Sequence, residues 1–175
     1  MSRVQLRPLC REDTAKIVAW RNRDDVRFNL YNPSLLTAEQ HLWYFDHVVS
    51  TGKVHQFVIQ VVEDDTVWDI GTTFLKSIDS QNQKAEFGIF IGEPDARGKG
   101  FVPHAIMEIL GYGFEQLGLN RIYLSVQADN MAAIRSYEHA GFRLEGILRD
   151  DFVRNGKYID VVMMAMTKAD YRRIN

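Results

Sequence analysis

Residues 95–103, Asp-Ala-Arg-Gly-Lys-Gly-Phe-Val-Pro, combine the features needed to hold a phosphate. Gly98 and Gly100 let the backbone come close to a ligand, and the apolar run from Phe101 and Val102 onward marks a helix start. Backbone N–H groups at such a start converge on an anion, and the partial positive charge of the helix end adds to the attraction. Arg97 and Lys99 bring charge to the same point, and Pro103 has no N–H to waste in a first turn where that donor is spare. A surface turn carrying solvated charges accounts for the same residues, because short glycine motifs recur by chance. Downstream, residues 130–137, Asn-Met-Ala-Ala-Ile-Arg-Ser-Tyr, form a second polar stretch that carries a tyrosine.

The elements around these residues follow from periodicity. Val4 and Leu6 alternate with polar neighbours in a strand over residues 3–9, and Glu12-Asp13 favours a helix start. Ile17, Trp20, Val26 and Leu30 keep approximate helical spacing, interrupted at Arg21-Asn22-Arg23-Asp24-Asp25, which predicts a bend or two short helices. Thr37 with Gln40 predicts a capped helix carrying Leu42, Phe45, Val48 and Val49. Three antiparallel strands are expected over 57–62, 67–75 and 85–91. A helix over 101–117 buries Val102, Ala105, Ile106, Ile109, Leu110, Phe114 and Leu117 and stops at Gly118. A strand over 122–126, a helix over 130–139 closed by Gly141, and a strand over 143–148 come next. Asn155-Gly156 predicts a hairpin into 159–166, and Thr167 with Asp170 caps a last short helix. This mixed order predicts one α+β domain, residues 1–175, around a central sheet in which one strand pair is parallel.

Residues 85–102 and 119–144 resemble the GNAT superfamily of acyl-CoA N-acyltransferases, in particular its ribosomal-protein and spermidine acetyltransferase branch. The resemblance rests on residues 86–91 (Glu-Phe-Gly-Ile-Phe-Ile), on 97–102 and on 130–142. Arg97 and Gly100 match the family's pyrophosphate signature, (Gln/Arg)-x-x-Gly-x-(Gly/Ala), whereas Val102 replaces its last small residue. The resemblance implies a mostly antiparallel mixed sheet splayed between its fourth and fifth strands and flanked by helices. It implies acetyl-CoA as co-substrate, its pyrophosphate on Arg97, Gly98, Lys99, Gly100, Phe101 and Val102, and its pantetheine arm beside Phe90, Ile91 and Gly92. Asn130 then touches the cofactor arm, and Tyr137 gives a proton to the departing thiolate. A phenol suits that task because it is protonated at neutral pH and bonds to sulfur as negative charge develops. Taken alone, Tyr137 also reads as a core tyrosine on an amphipathic helix.

The acceptor must attack as an uncharged amine, and at pH 7 an amine with a pKa near 10.4 reaches that form at a cost of about 4 to 5 kcal/mol. Glu86, on the same strand face as Gly88 and Phe90, is the candidate base; a solvated strand-edge carboxylate is the rival reading. His104 also offers a base, or an ordinary polar position in the first turn of its helix. Trp20-Arg21-Asn22, Val26-Arg27, Tyr31-Asn32 and residues 36–42 are similar to amino-sugar-nucleotide N-acetyltransferases of the pseudaminic acid pathway. That similarity implies Arg21, Asn22, Arg27 and Tyr31 as substrate ligands for a nucleotide-linked amine. Protein N-terminal amines and polyamines are the alternative acceptors, and a non-catalytic acyl-CoA-binding regulatory module is the alternative outside enzymology.

Composition removes other classes. Twenty-one basic and twenty-three acidic residues give a net charge of -2, which offers no global field for a nucleic acid. No segment approaches the roughly 20 apolar residues of a membrane span, so a cytoplasmic protein with no membrane partner is expected. The one cysteine, Cys10, and five histidines fall in no metal-ligand spacing. No metal is expected, and Cys10 reads as a buried small apolar residue. A homodimer is compatible with the sequence.

Overall fold

The computed structural model describes residues 2–64 and 66–174. Seven strands form one sheet in the order β1-β2-β3-β4-β5-β7-β6. They are β1 (Arg3–Pro8), β2 (His55–Glu63), β3 (Thr66–Asp79), β4 (Lys84–Ile91), β5 (Arg121–Gln127), β6 (Arg143–Arg154) and β7 (Lys157–Thr167). Every neighbouring pair is antiparallel except β4 and β5, as the change from hairpin-linked strands to a strand-helix-strand section requires. The helices are α1 (Thr14–Arg21), α2 (Asp24–Arg27), α3 (Ala38–Tyr44), α4 (Phe101–Gly111), α5 (Met131–His139) and α6 (Lys168–Ile174).

Strand alternation sorts the helices onto two faces. Val58 packs with Ile17 and Trp20 of α1, while its neighbours Phe57 and Ile59 join the clusters under α4. The α4 stripe of Ile106, Ile109 and Leu110, continued by Phe114, is fully buried against Leu75, Ile122 and Met164. Each such side chain contributes roughly 1.5–3 kcal/mol of burial.

Local signals act where the sequence puts them. Thr37 and Gln40 form a reciprocal capping box, with Gln40 N–H to Thr37 Oγ1 at 3.2 Å and Thr37 N–H to Gln40 Oε1 at 2.9 Å. Asn155 (φ 51°) and Gly156 (φ 74°) supply the two positive dihedrals of a tight hairpin turn. Thr167 Oγ1 donates to Asp170 Oδ2 at 2.6 Å and accepts from the Asp170 N–H.

Three details depart from expectation. The helix expected over 101–117 is α-helical only to Gly111 and ends in a π turn, Tyr112–Gln116. β6 runs six residues past 148, because a register shift between Leu148 and Phe152, with Asp150 at φ 54°, absorbs an irregularity that breaks the alternation. Cys10 is half-buried and polar in its contacts: its thiol donates to Asp13 Oδ2 at 3.1 Å, and this bond, with burial, raises its pKa.

Candidate active site

β4 and β5 pair only at Lys84–Arg121, Ala85–Ile122 and Glu86–Tyr123; beyond Glu86 the two strands part. Between them opens a cavity of about 410 Å³, lined by β4 from Glu86 to Ile91, by β5 from Leu124 to Gln127, and by α5 through Ala133, Ser136 and Tyr137. Residues of segment 25–31 wall another side. A diverging parallel pair leaves backbone polar groups without a strand partner, and an extended ligand with amides can take them.

At one end of the cavity stands the glycine turn. Gly98 (φ 71°) and Gly100 (φ 81°) occupy left-handed backbone, and a Cβ at either would meet open space. Glycine is needed there for conformation rather than room. Gly100 is the N-cap of α4 and no side chain caps that helix end, so the first-turn amides face an approaching anion without a competitor. The Arg97 N–H donates to Pro94 O at 3.0 Å, so the cradle begins at Gly98. The Arg97 side chain donates to Asp25 Oδ2 at 2.6 Å and to Ile91 O at 3.1 Å. Lys99 Nζ lies 5.7 Å from the centre of the Trp68 ring, and Phe101 is buried edge-on to the same ring. Val102 is half-buried and lines the cavity. These features fit a diphosphate-bearing cofactor.

Phe90 and Ile91 border the cavity, whereas Gly92 lies behind them. The Gly92 and Glu93 N–H groups both go to Ile70 O, at 2.9 and 3.0 Å. Trp20 packs on Gly92 so closely that a Cβ would fall 2.1 Å from the indole, while Nε1 donates to Glu93 Oε1 at 2.6 Å. Gly92 therefore shapes the strand end, and its N–H is not free for a ligand. Asn130 lines the cavity and also caps α5, its Oδ1 accepting from Ala133 N–H at 3.2 Å.

Tyr137 stands on α5 against the splayed strand. Its ring is edge-on to Phe87 (5.9 Å, 90°) and to Phe142 (6.0 Å, 63°), which fixes the phenol toward the cavity it lines. Burial, with the Tyr31 phenol nearby, pushes its pKa up to about 12. It is a proton donor at any physiological pH.

Glu86 enters the same cavity, with Lys76 Nζ of β3 at 3.1 Å from Oε1. Tyr31 joins them, its ring edge-on to Phe152 at 5.4 Å, and burial raises its pKa. The other sequence candidates lie elsewhere. Arg21 is half-buried near Tyr44, no carboxylate pairs with it among the described residues, and it does not line the cavity. Asn22 spends its amide on the chain, donating to Leu36 O and accepting from Leu36 N–H, both at 2.8 Å. Arg27 pairs with Asp24 at 3.6 Å outside the cavity. His104 is exposed, away from the lining. Asp25, Phe74 and Lys76 line the cavity without any motif to signal them. Only strand pairing reveals the last two, since Phe74 faces Gly88 and Lys76 faces Glu86 across β3 and β4.

Among the described residues, no helix is long and apolar enough to cross a membrane, and no His, Cys, Asp and Glu cluster could hold a metal ion. The family described as "Acetyltransferase (GNAT) domain" matches residues 3–143. An N-acetyltransferase of Bacillus licheniformis, named p20, is 38% identical over 69% of the chain; the match spans 66% of that relative, just under two thirds of its length. Spermidine N(1)-acetyltransferase of Escherichia coli strain K12 is 31% identical over 96% of the chain and 88% of the relative. The crystal structure of spermidine N-acetyltransferase from Vibrio cholerae with CoA and spermine superposes with a TM-score of 0.88, at 31% identity, over 97% of this chain and 98% of that one. Strand order, splayed β4–β5 pair, glycine turn and family match agree: the chain belongs to the GNAT acetyltransferases.

Proposed function

We propose that the chain transfers the acetyl group of acetyl-CoA to the primary amine of a small molecule of the polyamine class, by direct attack. One observation carries the chemistry: a proton-donating phenol, Tyr137, and a carboxylate, Glu86, open into the one cavity that the splayed strands create. Acetyl-CoA supplies an activated thioester, whose diphosphate fits the uncapped α4 end and whose pantetheine arm fits the unpaired stretch of β4. Glu86 takes the proton that the attacking amine loses, directly or through water, and Tyr137 protonates the leaving thiolate. The lone cysteine, Cys10, does not line the cavity, which gives no support to an acyl-enzyme route.

The names and ligands of the relatives support the polyamine class. A specific observation favours a second reading, an amino-sugar nucleotide. Both carboxylates that line the cavity already have cationic partners, Asp25 with Arg23 and Arg97, and Glu86 with Lys76. A site balanced in charge suits an amine on a neutral, hydroxyl-rich scaffold, which Tyr31 and Lys76 can bond. Thiol release from acetyl-CoA, followed with spermidine, amino-sugar nucleotides and N-terminal peptides as acceptors, decides between them. Stimulation by spermidine above the others is expected. Binding of acetyl-CoA with no stimulation by any amine would reject the enzyme reading in favour of a non-catalytic acyl-CoA module.

A further inference from the structure

Arg154 does not line the cavity, yet the walls of the acceptor side converge on it. Its guanidinium stands 4.1 Å from the centre of the Phe28 ring and 5.6 Å from that of Phe152. Nη1 and Nη2 donate to Asp129 at 2.7 and 3.4 Å. The side chain is only 11% exposed, and among the described residues its buried Nε meets no hydrogen-bond acceptor. Each partner belongs to a different wall. Phe28 directly follows α2 and precedes Asn29, Leu30 and Tyr31, all of which line the cavity. Phe152 on β6 meets the Tyr31 ring in a T-shaped contact, and Asp129 precedes Asn130 at the start of α5.

Segment 25–31 is tied at its two ends, by the Arg97–Asp25 ion pair and by Tyr31 against Phe152, and between them little of it is buried. Val26 is its one buried residue, and Phe28 is 54% exposed. A planar guanidinium can stack on aromatic faces while its edge bonds a carboxylate, which a lysine ammonium cannot do at once. We infer that Arg154 is a positioning residue for the acceptor: by stacking on Phe28 and Phe152 it fixes segment 28–31, and with it Tyr31, against β6. This rests on the proposed reading of the cavity as an amine site.

The test compares Arg154→Lys, which keeps the charge opposite Asp129 but loses the stack, with Phe28→Ala and the double variant. With the best acceptor of the panel, Arg154→Lys should raise acceptor KM about tenfold while kcat and the KM for acetyl-CoA stay within about twofold. Phe28→Ala should reproduce this, and the double variant should add nothing further. An unchanged acceptor KM in Arg154→Lys, or both KM values rising together, would overturn the inference. Amide hydrogen exchange in the CoA-bound protein gives an independent readout that needs no turnover. Phe28, Asn29 and Leu30 donate to Asp24, Val26 and Arg27 carbonyls, and their exchange should quicken about tenfold in Arg154→Lys. Unchanged exchange there also overturns it. Failure of every amine to be acetylated rejects the proposed function instead, leaving the exchange result to judge Arg154.

Discussion

Arg97 Nη1 lies 2.6 Å from Asp25 Oδ2, joining the phosphate-binding turn to the segment that walls the acceptor side. Asp25 is shared with Arg23, and hydrogen bonds from Arg23 and Arg97 hold its pKa at about 2. Asp25 thereby fixes the Arg97 guanidinium at the cavity that Val102 of α4 also lines. Arg97→Ala should weaken CoA binding about 10- to 100-fold in calorimetry, since a hydrogen bond to a charged group is worth about 1.5–3 kcal/mol. The salt dependence of binding should shrink with it. Wild-type affinity in this variant would mean that the backbone amides hold the diphosphate alone.

Tyr137→Phe removes one oxygen and leaves both edge-on contacts, with Phe87 and Phe142, intact. The expected result is a fall in kcat of about 10²–10⁴-fold with the KM for acetyl-CoA nearly unchanged. With its pKa raised to about 12, the phenol remains a donor across pH 7 to 10. The wild-type profile should therefore show no loss of kcat in that interval from this group. A Phe variant that turns over like the wild type removes Tyr137 from proton transfer.

Much of the architecture could be read from the chain because its cues are local. The Thr37 box, the Asn155-Gly156 turn and the apolar stripe of α4 each depend on residues within a few positions of one another. Glu86 and Tyr137 could be proposed from motif context, and both reach the cavity. The acceptor side was harder, since its walls meet only in three dimensions. Asn22 reads in sequence as a ligand but turns its amide onto Leu36, fourteen residues on, and no periodicity signals such a bond. No sequence pattern marks Arg154 for the same reason: Phe28 lies far upstream in the chain and meets it only through the fold.

Glu86 and Lys76 sit opposite each other in the β3–β4 register, 3.1 Å apart at their charged ends. If Glu86 accepts the proton of the amine, Glu86→Gln should lower kcat/KM for the acceptor at pH 7 by about 10²-fold. The deficit should narrow as pH rises toward the pKa of the amine, because solvent then delivers the neutral nucleophile unaided. A purely structural ion pair predicts a deficit that does not depend on pH. Rate profiles of wild type and variant between pH 6 and 10 separate the two.

Asp13 is one of the carboxylates through which acid should weaken the fold. It is buried at the start of α1; burial alone would raise its pKa, but hydrogen bonds from Arg7 and from the Cys10 N–H and thiol outweigh this and hold it at about 2. A carboxyl whose folded pKa lies below its unfolded value of 3.8 contributes stability that is fully present above about pH 4. That contribution is lost as pH falls from about 4 through 2, because the unfolded chain takes up the proton first. The shift corresponds to about 2 kcal/mol. Asp13→Asn should therefore be less stable than wild type at pH 7 in urea titrations, and its stability should fall less steeply between pH 4 and 2. Parallel acid limbs for the two proteins would show that the Arg7–Asp13 pair is not what fails first in acid.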